Sequence, residues 1–200
     1  MKKNSLEITK YIQTARKRHK EGNTYQANEI YKNLINQKIY TYDLLISYGL
    51  FCKEINNLKI AKNLFFLSIK KYPLKINSYI LLAEIFRKEN KIEDALKTLY
   101  EAKKVDEFNS DIDYNLSITH KAIKSFNDAI GFIDSAIKLQ PKNPIYKILK
   151  ADILIESFQN EGAKELIINL KLSKDSPLFY QREILISKVY INQKKYILAE

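Results

Sequence analysis

The chain has 200 residues, 46% of them hydrophobic, with four glycines, four prolines and a formal charge of +11; this composition supports a packed fold and excludes a low-complexity chain. A single cysteine, Cys52, excludes an internal disulfide framework and fits a reducing, cytoplasmic setting. No apolar run approaches the ~20 residues that span a bilayer, and residues 1–7 lack the continuous apolar core of a signal peptide.

A first helix is predicted to begin at Asn4, which makes a capping box with Glu7. It carries Ala15 and ends in the basic run Arg16 to Lys20, read as a solvated helix terminus in preference to a nucleic-acid contact. Next come Ala27 and, four residues on, Tyr31; the pair returns as Ala61 and Phe65, Ala95 and Leu99, Ala129 and Ile133, and Ala163 and Ile167, always 34 residues apart. A fixed period of this size marks an array of two-helix repeats, none able to bury its apolar face alone. Counting from the alanines places a lead-in at 1–7, repeats at 8–41, 42–75, 76–109, 110–143 and 144–177, and a partial sixth at 178–200.

Start and stop signals follow the same frame. Thr41 and Ser110 are candidate caps, with Asp43, Asp111 and Asp113 favourably placed near positive helix ends. Asn143-Pro144 and Ser176-Pro177 each set a capping side chain before a proline at the first helical position, while Pro73 and Pro141 stop second helices. The eighth position of each repeat is small: Ala15, Gly49, Ala83, Ser117, Ala151 and Ser187. Paired with the alanine at the twentieth, it lets two antiparallel helices approach closely. Ala199 takes the alanine's place in the sixth repeat, 36 residues after Ala163, so two residues are inserted, with the turn Ser173 to Ser176 as the expected place. The last repeat stops one residue later, and the expectation is that the natural sequence continues.

The small-then-aromatic pattern, the recurring alanine, the closing proline and the 34-residue period resemble the tetratricopeptide repeat over nearly the whole chain. The resemblance implies an all-α fold: a right-handed superhelical solenoid of antiparallel helix pairs, five repeats plus a partial sixth. Several residues depart from the family pattern. Arg18 and His120 stand at a usually aromatic eleventh position, Lys150 at an apolar seventh, and Asp113, Lys147 and Glu183 at an aromatic fourth.

Catalytic chemistry is not indicated. His19 and His120 lie three repeats apart with no Cys/His cluster of metal-ligand spacing, and the four glycines form no phosphate-binding loop. Glu84 and Asp152 lack a supporting base or nucleophile and read as solvated acids. No cofactor or metal is expected.

Recognition is better supported. In tetratricopeptide arrays the second, fifth, ninth and twelfth positions of the first helices tend to face a ligand, so the resemblance implies a groove. Its fifth positions are Ile12, Ile46, Ile80, Tyr114 and Ile148, continuing to Ile184. Its ninth positions are Arg16, Leu50, Glu84, Ile118 and Asp152; its twelfth are His19, Lys53, Arg87 and Lys121, then Ile155 and Ile191. An apolar ladder beside a basic stripe would suit a protein or peptide with apolar anchors and acidic residues. Against this stand isoleucines that pack between helices and cations that answer helix dipoles. Residues of the chaperone-type carboxylate clamp and of the asparagine ladder found in some family members are missing: the clamp frame holds Ile12, Arg16, Ser47, Asn77 and Leu81.

Ten of the eleven excess positive charges fall within residues 1–75. Such an end could attract acidic proteins, nucleic acid or anionic lipid, but a general richness in Lys, Asn, Ile and Tyr is the favoured account from sequence alone. The leading expectation is a non-catalytic protein-interaction scaffold. A second is the recognition module of a longer enzyme, for example a sulfo-, glycosyl- or methyltransferase, with chemistry beyond residue 200. A third, RNA binding by a related helical repeat, is disfavoured by the constant period of 34.

Overall fold

The computed structural model describes residues 4–197, which form eleven α-helices and no strand. They divide into two compact units, with the boundary between Lys91 and Ile92. The N-terminal unit holds α1 (Ser5–Lys20), α2 (Thr24–Asn36), α3 (Tyr42–Glu54), α4 (Leu58–Lys71) and α5 (Asn77–Lys88). The C-terminal unit holds α6 (Ile92–Val105), α7 (Ser110–Ala122), α8 (Phe126–Leu139), α9 (Pro144–Glu156), α10 (Asn160–Ile168) and α11 (Pro177–Ile197). Ala199 lies outside the described residues.

Local chemistry sets most helix ends. Asn4 Oδ1 accepts from the Glu7 amide at 2.8 Å, Thr41 Oγ1 from Leu44 at 3.3 Å, and Asn143 Oδ1 from Ile145 at 3.1 Å, each satisfying an amide left free by the first turn. Ser110 is not the cap of α7: Asn109 is, accepting from Asp111 and Ile112. Ser110 is already inside the helix and buried, where its hydroxyl accepts from Gln140 at 2.6 Å and from Tyr146 Oη at 3.2 Å. Pro73 and Pro141 lie two residues past the ends of α4 and α8.

The turns inside the repeats show a further regularity. Gly22, Asn56, Asn90, Lys124 and Phe158 all have positive φ, between 58° and 81°, and succeed one another at the 34-residue period. In each case the following amide reaches back five residues, as from Asn57 to the Cys52 carbonyl at 2.7 Å and from Gln159 to Leu154 at 2.8 Å. This is the Schellman ending, which satisfies carbonyls that the last helical turn leaves open. Gly22 adopts it without penalty, and asparagine tolerates it; Lys124 and Phe158 hold a left-handed conformation that their Cβ atoms disfavour.

The packing core follows from the small residues. Ala27, Ala61, Ala95, Ala129 and Ala163 are fully buried, as are Ala15, Ala83, Ser117 and Ala151. Ser117 Oγ donates to the Ala129 carbonyl at 2.7 Å, so side chain meets backbone across the α7/α8 pair. At Gly49 a Cβ would overlap the ring of Phe65, itself fully buried and unable to swing away. Ser187 is exposed. Helix α10 is the short one, with nine residues against thirteen or fourteen in α2, α4, α6 and α8, and the chain then runs without helix through 169–176, the stretch where two extra residues were expected.

Four of the departures from the repeat pattern, Asp113, Lys150, Arg18 and His120, have polar partners. Asp113 is fully buried and accepts from Lys103 and, at 2.7 Å, from Ser135 Oγ. Lys150 pairs with Asp134 at 2.7 Å, and Arg18 with Glu21 at 3.3 Å. His120 is buried: its ring stacks on Phe132 from α8 with centroids 5.3 Å apart, and Nε2 lies 3.2 Å from Tyr100 Oη of α6. Its Nδ1 has no hydrogen-bond partner among the described residues, and the Asp128 carboxylate stands 3.7 Å away. Burial pushes His120 below the ordinary histidine range, against the opposing pull of Asp128.

Two outcomes follow. Gly49→Ala should lose about 1–3 kcal/mol in urea unfolding, because overlap with a locked ring outweighs the helix propensity gained. Because His120 has a folded pKa below its unfolded value, the unfolded chain takes up the proton first, and stability present above about pH 6.5 falls as pH drops through that value. His120→Phe, which keeps the ring stack, should lose less stability between pH 7 and 5 than the parent in paired thermal melts.

Candidate functional site

In the N-terminal unit the expected groove residues sit on α1, α3 and α5, and Arg16, His19 and Lys53 each face a carboxylate of the next first helix. Arg16 donates to Asp43 Oδ1 at 2.6 Å and to the Ser47 hydroxyl, joining α1 to α3. His19 Nδ1 lies 3.2 Å from Glu54 and its ring meets Phe51 edge-on, and Lys53 Nζ reaches Glu84 on α5 at 2.7 Å. Arg87 is half-buried, as are Leu50 and Ile80. Ile12 is 1% exposed and Ile46 is also buried, so these two pack between helices and offer a ligand almost no surface.

The C-terminal unit repeats the ion pair and adds a cleft. Lys121 on α7 donates to Asp152 Oδ2 on α9 at 2.5 Å and lies 2.8 Å from Glu156. The sequence offset, 31 residues, equals that of Lys53 and Glu84: a twelfth position reaches the ninth of the next repeat. Burial pulls Lys121 down, but the hydrogen bonds and charges of Asp152 and Glu156 outweigh it and hold the ammonium above the ordinary lysine range. Lys188 of α11 approaches the other Asp152 oxygen at 3.4 Å.

Beside this node lies a cleft of about 300 Å³ between α7, α9 and α11. Tyr114, Ile148, Leu149 and Leu185 line it, with Ile145 and Ile184 more exposed to solvent. Asp152, Lys188 and Gln181 supply its polar groups. A low-dielectric wall with a few fixed polar groups is what orients a bound chain segment. Tyr114, Ile148 and Asp152 are thus brought together as neighbours, with Lys121 bound to the last. Ile118 is half-buried on the same helix as Lys121. Leu149 and Leu185 were not anticipated: they occupy the sixth position, where the sequence was searched only for asparagine. Ile145 and Gln181 stand at the second position and Lys188 at the ninth of the partial repeat, so the groove frame could have found them.

Among the described residues no group of three or more His, Cys, Asp or Glu could hold a metal ion. Cys52 is buried, and that burial pushes its thiol up to about 12, which makes it a packing residue. No described helix is long and apolar enough to cross a membrane.

No protein-family model matches the chain, and no curated protein matches it. Solved structures do. A thermophilic TPR protein of Thermus thermophilus superposes with a TM-score of 0.72 at 12% identity, over 90% of this chain and 98% of that one. A tetratricopeptide repeat protein of Parabacteroides merdae gives 0.77 at 14% identity, over 96% and 78%. The pilF protein of Pseudomonas aeruginosa gives 0.68 at 14% identity, over 96% and 97%. The all-α fold is therefore that of tetratricopeptide-repeat solenoids.

The two kinds of ion pair are separable by experiment. Lys121 and Asp152 are mostly buried, whereas Arg16 and Asp43 are about half exposed. Double-mutant cycles should give a coupling of about 1–3 kcal/mol for the first pair and under about 1 kcal/mol for the second.

Proposed function

We propose that the chain is a non-catalytic protein-interaction scaffold and that its C-terminal unit seats a peptide segment with apolar anchors in the cleft of α7, α9 and α11. The observation that carries this is the exposure of Ile184, at 57%, and of Ile145 beside an open cleft with polar groups on one side. Exposed large aliphatics on adjoining helices, next to a cleft of side-chain size, are a recognition surface more readily than a solvated face.

Acidity in the partner is not what this surface selects. Lys53 and Lys121 are each held by carboxylates of the following first helix, and His19 lies against Glu54. An acidic peptide would have to displace those internal partners. The charge beside the cleft is balanced, Asp152 against Lys121 and Lys188, so nothing there favours a phosphate backbone. One buried aliphatic anchor contributes about 1.5–3 kcal/mol, short of the ~8 kcal/mol of a micromolar complex. Several contacts are therefore needed, and a segment crossing all three helices would supply them. A cytoplasmic setting fits the single buried Cys52.

Peptides selected from a display library on the whole chain should be enriched in aliphatic and aromatic residues. Ile184→Lys should weaken the selected peptides by about tenfold or more while leaving the melting temperature unchanged. Equal binding by that variant in a fluorescence titration would count against the cleft as the seat.

A further inference from the structure

The positive charge of the N-terminal end is not scattered evenly over its surface. Two connecting segments, the one before α3 and the one after α4, meet there through aromatic residues. Tyr72 Oη donates to the Tyr40 carbonyl at 2.8 Å, and the rings of Tyr42 and Tyr72 stand edge to face with centroids 5.7 Å apart. Lys71 Nζ lies over the Tyr40 ring at 5.2 Å and Lys75 Nζ over the Tyr42 ring at 5.7 Å. Between these lysines, directly after Pro73, Leu74 is 79% exposed. Lys38 and Lys70, both outside the core, flank the same segments in sequence. Among the described residues none of these four lysines is in an ion pair, and the adjacent acid Asp43 is taken by Arg16.

We propose that this patch docks the protein reversibly on an anionic lipid bilayer, with Leu74 entering the interfacial region and the lysines meeting headgroups. The cations complement the negative surface potential of such a membrane. A side chain that is costly to leave in water stands among them, and burying it in the acyl boundary recovers that cost. The tyrosines add amphipathic rings, each with a lysine ammonium over it, an arrangement suited to the water–lipid boundary. RNA fits less well. One face of each of Tyr40 and Tyr42 already carries a lysine ammonium that a stacking base would have to displace, and an exposed leucine does nothing for a phosphate chain. The turn 34 residues later supplies an internal contrast: Phe108 is 76% exposed there, but it follows Asp106 and Glu107.

The test is co-sedimentation of the full chain with phosphatidylcholine vesicles, with and without phosphatidylserine, at two salt concentrations. Binding should require phosphatidylserine and weaken as salt rises. Lys71→Gln with Lys75→Gln should lower the partition coefficient about thirtyfold and Leu74→Ser about tenfold. Phe108→Ser should change nothing. All four side chains are exposed, and far-UV circular dichroism confirms that each variant is folded. Binding that ignores phosphatidylserine, or that survives Leu74→Ser undiminished, would overturn the proposal. So would retention of single-stranded RNA through Lys71 and Lys75 without vesicle binding.

Discussion

Everything in this chain rests on how closely two helices of a repeat can approach. The alanine at the twentieth position and the small residue at the eighth set that distance, and both are fully buried in most repeats. Where a serine replaces alanine, as at Ser117, its hydroxyl is near enough to bond the facing backbone at Ala129. Where glycine stands, as at Gly49, a large ring occupies the vacated space. A methyl group added at such a contact has nowhere to go, because interiors at crystal-like density relax little.

That close approach fixes which side chains of the first helices remain outside. It sinks Ile12 and Ile46 into the seams and leaves Ile145 and Ile184 more open to solvent, although three of these four were read from a single ladder. It also sets the register in which a lysine at the twelfth position meets an acid at the ninth of the next repeat, as in Lys53 with Glu84 and Lys121 with Asp152. Lys53 and Lys121, two of the cations expected in a basic stripe, therefore act as struts between neighbouring first helices. What the C-terminal unit presents is an apolar cleft with a compensated charge node at its side, a surface suited to orienting a chain segment and poorly suited to attracting charge at long range.

Much of this was legible in the residues. A 34-residue period reports the repeat, and alanines read as contact points proved to be buried ones. The left-handed turns at Gly22, Asn56, Asn90, Lys124 and Phe158 were harder to see, because residue type suggests them at the first three and hides them at the last two. Burial was legible as a face but not residue by residue: position five is deep at Ile12 and shallow at Ile184, since neighbouring elements decide how much each is covered. The cap at Asn109 was missed because the adjacent Ser110 carries an equally plausible hydroxyl, and only burial shows that it belongs to the helix interior. The ion-pair partners of Arg16, Lys53 and Lys121 were invisible for a similar reason, as each lies in a different repeat from its mate.

The central claim is that the cleft between α7, α9 and α11 is where a partner segment sits. It is tested most directly by titrating a display-selected peptide into protein carrying labelled isoleucine and leucine methyl groups and following their resonances. The largest shifts should fall on Ile145, Ile148, Leu149, Ile184 and Leu185. Shifts confined to second-helix residues such as Ile69 and Ile137, with the cleft methyls unmoved, would contradict it.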